Sequence, residues 1–120
     1  MTVVRFQDLP LADRDRKWDG TAAEKHVRQW ADAEDEPDAA YRNAHVWYDG
    51  DNPENFGSCK LLIADVIDGR LEAVPRAVMA AGNIMQGARG GIDLPQGDIE
   101  GVKKHLARCY SKVTPPPPDG

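Results

Sequence analysis

Val66-Ile67-Asp68-Gly69-Arg70-Leu71 is the stretch that decides the fold. An Asp-Gly pair between apolar residues favours a tight hairpin, because both central positions of such a turn need positive φ and glycine adopts it without a steric penalty. Shortly afterwards Pro75 stands where a helix can begin, since a residue in the first turn has no helical acceptor for the N–H that proline lacks. Working outward, Trp47 to Tyr110 reads as strand, turn, strand, hairpin, helix, glycine loop and helix. The expectation is an α+β fold: a small antiparallel sheet with a hairpin, packed against about three helices. Residues 20–113 form this single domain, 1–19 an extended N-terminal arm and 114–120 a proline-rich tail.

Upstream, Thr21 and Glu24 have the spacing of a capping box, which predicts a helix from about Ala22. Its inward face would be Ala23, Val27, Trp30 and Ala31, at helical intervals. The acidic run from Asp32 to Asp38, broken by Pro37, reads as a solvated loop. Tyr41 to Ala44 can add a helical turn before the strand His45-Val46-Trp47-Tyr48. Asp49-Gly50-Asp51-Asn52-Pro53 is a turn; it lacks the spacing and distal Glu of a calcium loop. A second strand follows at Cys59 to Ile63. Downstream, Val78, Met79, Ala81, Ile84 and Met85 mark a helix ending at Gly87. Ala88-Arg89-Gly90-Gly91 is read as a cap and turn, because the Lys-Ser/Thr pair of a phosphate-binding loop is missing. After Pro95, the stripe Ile99, Val102, Leu106, Tyr110 and Val113 predicts the last helix, with Glu100, Lys103, Lys104 and Arg108 toward water. Trp30, Trp47 and Leu106 are expected to meet in one core.

At 120 residues the chain suits one domain. Fifteen basic against twenty acidic residues give a formal charge of -5, which disfavours broad attachment to nucleic-acid phosphates. No apolar run approaches the roughly 20 residues that span a bilayer, so no membrane partner is expected. The start, Met1-Thr2-Val3-Val4-Arg5-Phe6, lacks the basic and apolar regions of a signal peptide, so Cys59 and Cys109 are expected to be reduced in the cytoplasm where the chain is made.

Three chemistries have candidate residues in the sequence. His105 and Cys109, four apart on one helix, could reach one zinc ion with His45 and Cys59, but no close ligand pair lies in the strands; neither metal nor cofactor is expected. Ser58 or Cys59 with His45 or His105 could be a nucleophile and base, but no nucleophile elbow supports an enzyme. Arg89, Lys103, Lys104, Arg108 and Lys112 form a local basic group that gives the alternative reading, a nucleic-acid-associated regulator. The arm residues Val3, Val4, Phe6, Leu9 and Leu11, with the polyproline segment Pro115, Pro116, Pro117 and Pro118, are the expected partner contacts, because such ends gain order on a partner surface.

Trp47-Tyr48-Asp49-Gly50-Asp51-Asn52-Pro53-Glu54-Asn55-Phe56-Gly57-Ser58, with Lys60, Leu61, Ile63 and Asp65, resembles a small domain of tailed-phage and prophage head-region proteins. Trp18-Asp19-Gly20, Ala88-Arg89-Gly90-Gly91-Ile92-Asp93-Leu94-Pro95 and His105-Leu106-Ala107-Arg108 with Tyr110 belong to the same pattern, so the likeness covers roughly residues 9 to 113. Cys59 and Cys109 depart from it, standing where aromatic residues are usual. In that family the domain occurs alone or appended to prohead protease-like and capsid proteins. The resemblance implies a non-enzymatic structural or interaction protein of the virion head, decorating the capsid or assisting assembly. Its implied partners are the major capsid protein, other head proteins and copies of itself.

Overall fold

The computed structural model describes residues 2–33, 35–52, 54–87, 92 and 94–113. In chain order these form β1 (Thr2–Val3), α1 (Gly20–Trp30), α2 (Ala39–Arg42), β2 (His45–Tyr48), a 3-10 turn (Phe56–Ser58), β3 (Cys59–Leu62), β4 (Ala64–Ile67), β5 (Arg70–Ala73), α3 (Pro75–Met85) and α4 (Gln96–Val113). The α+β fold stands, with its strands divided into two antiparallel sheets, β1-β2-β3 and the β4-β5 hairpin.

The hairpin forms as its sequence demands. Asp68 at φ 53° and Gly69 at φ 79° supply the two positive angles, and the register runs Ala64↔Ala73, Asp65↔Glu72, Val66↔Leu71, Ile67↔Arg70. Pro75 opens α3 directly after β5. Val46, Trp47, Leu61, Ile63, Val78, Ala81, Val102 and Leu106 share the main core between the three-stranded sheet and α3 and α4. A second core gathers Val27, Ala33, Tyr41, Ala44, Ala64 and Leu71.

Helix α1 differs from its predicted form at both ends. Its cap is Asp19, whose carboxylate accepts the Ala22 N–H at 3.2 Å, so the helix begins at Gly20 ahead of the Thr21 capping box. At the other end Trp30 is 41% exposed, although Ala23 and Val27 are fully buried. The helix stops at Trp30 and the chain turns back through Asp32 at φ 56°. Ala33, whose N–H donates to the Arg28 carbonyl, then fills the interior place expected for Trp30. Trp47 and Leu106 do share a core; Trp30 is outside it.

The N-terminal segment begins as β1 and turns at Arg14 and Asp15, and it docks on its own domain along its length. Val3 pairs with Trp47, and the Val4 N–H donates to the Val46 carbonyl at 2.8 Å. Further on, the Ala73 N–H donates to the Pro10 carbonyl and the Ala12 N–H to the Ala73 carbonyl, each at 2.9 Å. Trp18 anchors the end of the segment against Ala12, Val74 and Ala77. A strand edge satisfies its backbone groups with whatever extended chain reaches it, and here the edges of β2 and β5 take the arm.

Candidate functional site

The expected arm contacts are unequal once placed. Val4 is buried, Val3 and Phe6 pack against the main core, and Leu9 packs against the second. Leu11 alone among the five is a large exposed apolar residue, at 39%. Pro115, Pro116, Pro117 and Pro118 lie outside the described residues, as do Arg89 and the Ala88–Gly91 loop.

The basic group on α4 is partly engaged by that arm. Arg108 lies over the Phe6 ring, 4.2 Å from its centroid. Lys112 pairs with Asp8 at 2.5 Å and also donates to the Leu9 carbonyl. That ammonium donates a hydrogen bond to Asp8 and attracts its charge, which holds the Asp8 carboxyl below its usual range. Lys103 and Lys104 remain exposed. Two guanidinium and ammonium groups already in intramolecular contacts make a narrower phosphate-binding face than the sequence suggested.

Ser58, His45 and His105 are buried and bonded to backbone carbonyls, while Cys59 is half-buried and Cys109 buried. The Ser58 hydroxyl donates to the Asn55 carbonyl at 2.6 Å. His45 reaches the Tyr41 carbonyl through Nδ1 at 3.0 Å, and His105 reaches the Val4 carbonyl through Nδ1 at 2.7 Å. A carbonyl can only accept, so each Nδ1 carries a proton. Burial lowers the His45 pKa from 6.5 to about 4 and also lowers that of His105. Cys109 lies in the main core, where burial pushes its thiol up to about 11; burial raises the Cys59 thiol too. Neither cysteine is therefore activated as a thiolate. Among the described residues no group of three or more His, Cys, Asp or Glu side chains is arranged to hold a metal ion, and His45, Cys59, His105 and Cys109 do not converge.

One charged cluster went unread in the sequence. Asp65 and Glu72 face each other across the hairpin and are both buried. Asp65 accepts from Arg16 at 3.4 Å, from His26 Nδ1 at 2.9 Å and from the Val66 N–H at 2.7 Å. Glu72 pairs with Arg70 at 3.2 Å. Opposed carboxylates repel, and each needs donors of its own once water is withdrawn. The signal was there: Asp65 stands between Ala64 and Val66 and Glu72 between Leu71 and Ala73, where a charge implies a partner. Through Arg16 and His26 the cluster fastens the arm and α1 to the hairpin.

Two surface features remain. Among the described residues Trp30, Met79 and Leu11 are exposed large apolar side chains. A cleft of about 350 Å³ opens between α1, α3 and β3, bordered by Trp18, Glu24, Tyr41, His45 and Phe56 among others. Among the described residues no helix is long and apolar enough to cross a membrane. Comparison of the chain with protein-family models, with curated proteins and with solved structures finds no match.

Proposed function

We propose that this chain is a non-enzymatic structural or interaction protein of a tailed-phage head, binding the capsid lattice as a decoration or assisting its assembly. The sequence resemblance supplies the context. The observation that carries the reading is how the side chains are allotted. Ser58, His45 and His105 are held on backbone carbonyls and Cys109 is in the core, whereas Trp30, Met79 and Leu11 stand toward solvent. Exposed Trp and Met side chains are enriched at protein–protein contacts, where an aromatic anchor can dominate binding. A protein with this distribution is suited to holding other proteins rather than to transforming small molecules.

On this reading the partners are the major capsid protein, neighbouring head proteins or further copies of the chain, and the site of action is the virion. Sedimentation of the purified chain with assembled capsid shells tests it. The chain should pellet with the shells, and Trp30→Ala should reduce the bound fraction without changing the fold. A chain that stays in the supernatant at every shell concentration removes the proposal.

A further inference from the structure

Charge is unevenly spread over the surface. The run Asp32 to Asp38 holds five acidic residues and no basic one. Asp32, Asp35 and Glu36 are exposed, and none of the three enters an ion pair among the described residues. Trp30, the last residue of α1 and 41% exposed, stands two positions ahead of this run. An aromatic anchor beside unpaired carboxylates has the make-up of one half of an interface.

The complementary half lies between the arm and α4. There a groove of about 630 Å³ is bordered by Arg5, Phe6, Asp8, Arg108, Ser111 and Lys112. Its three cations meet a single carboxylate, Asp8, which Lys112 already takes. Arg5 and Arg108 are exposed, and so is Lys104, one helical turn before Arg108. Among the described residues neither Arg5 nor Lys104 enters an ion pair. A groove of that size admits an indole ring, and guanidinium groups are the cations that stack on such rings. We infer that a second copy of the chain fills this groove: Trp30 of one copy enters it beside Phe6 and Arg108 of the next, while Asp35 and Glu36 meet Arg5 and Lys104. The two halves differ, so the contact is head-to-tail and association runs on into a ring or an open chain. A polyphosphate suits the groove less well, because the formal charge of -5 repels it, whereas the acidic run supplies the complement from the chain itself. This inference rests on the interaction reading above and names one of its partners.

Sedimentation equilibrium of the full chain tests it. At low salt the average mass should rise with concentration above that of one chain, and added salt should bring it back, since exposed charge pairs are screened. Neutralising either half, as Asp35→Asn with Glu36→Gln or as Arg5→Gln with Lys104→Gln, should weaken association by about tenfold or more. Mixed together, the two double variants should form a dimer and nothing larger, because each keeps the half that the other lacks. Amide shifts in that mixture should fall on residues 30–36 of the copy whose Arg5 and Lys104 are neutralised. Recovery on mixing separates a lost contact from a lost fold. A parent chain that stays monomeric at low salt, association indifferent to salt, double variants that associate as the parent does, or a mixture that stays monomeric overturns the inference. A monomeric chain retained on DNA at low salt overturns it in favour of nucleic acid. Self-association without sedimentation on capsid shells retains this inference and removes the head reading; binding of a monomeric chain to shells does the reverse.

Discussion

His105 Nδ1 lies 2.7 Å from the carbonyl oxygen of Val4, joining residues 101 positions apart in the chain. The bond fastens the last helix to the residue that follows β1. It also puts a proton on His105 Nδ1, as the Tyr41 carbonyl does on His45 Nδ1, while burial disfavours the charged form of both rings and so makes stability depend on pH.

Above pH 6.5 His45 is neutral in both folded and unfolded chains and contributes no pH dependence. Below 6.5 the unfolded chain gains a proton that the folded chain, with its His45 pKa lowered to about 4 by burial, does not take up. Stability is therefore expected to fall as pH drops from 6.5 toward 4, by roughly 3 kcal/mol for a shift of this size. His105 is shifted in the same direction and adds to the slope. The carboxyls of Asp8 and Asp49 are lowered from 3.8 by their hydrogen-bonding neighbours Lys112 and Asn52, so they titrate below this window. Urea unfolding across the window checks the slope, and His45→Gln should flatten it. An unchanged slope in that variant would contradict the assignment.

Close packing at two glycines gives a steric prediction. A Cβ added at Gly82 on α3 would meet the Tyr110 hydroxyl oxygen at 1.7 Å and its Cζ at 2.9 Å. The ring has to shift, and Gly82→Ala should cost about 1–3 kcal/mol as an overpacked contact. At Gly101 the added Cβ would lie 2.9 Å from Val3 Cγ2. Gly101→Ala should loosen β1 first, seen as faster amide exchange at Val4 with smaller effects on β4 and β5.

The three side chains once expected in a common core now separate. Leu106→Ala should cost about 2–5 kcal/mol and Trp47→Ala about 3–5 kcal/mol, through lost burial and a residual cavity. Trp47 also loses the bond from its indole N–H to Asp98, 2.9 Å long. Trp30→Ala, at an exposed position, should stay within about 0.5 kcal/mol. Denaturation midpoints of the three variants rank them directly, and a Trp30→Ala loss comparable to that of Leu106→Ala would place Trp30 in the core after all.

Asp65 is where a single charge ties three elements together. Asp65→Ala removes the acceptor shared by Arg16, His26 and the Val66 N–H. Arg16 and His26 are partly exposed and can rehydrate, so the expected loss is moderate, about 1–3 kcal/mol. The measurement is urea unfolding together with limited proteolysis, which should show earlier cleavage between Asp13 and Trp18. Proteolysis unchanged from the parent chain would mean that Arg16 does not hold the arm.

Local chemistry made the hairpin, α3 and the His45–Tyr48 strand legible in the sequence. Asp68-Gly69 and Pro75 each permit few alternatives, and the structure follows them. The outward turn of Trp30 was not legible, because three-residue spacing from Val27 says nothing of where the helix stops. Nor was the docking of the arm: Val4 meets Val46 and His105, and Pro10 meets Ala73, through contacts far apart in the chain that no local pattern encodes. Of the candidate site residues, sequence identified the basic side chains of α4 but not their partners Phe6 and Asp8, and it passed over the Asp65 cluster.

Mass spectrometry of purified proheads and mature virions, from a phage or prophage that encodes the chain, tests the central claim most directly. The chain is expected in at least one of the two particles, in a fixed ratio to the major capsid protein that survives a high-salt wash. Absence from both particles would contradict the account.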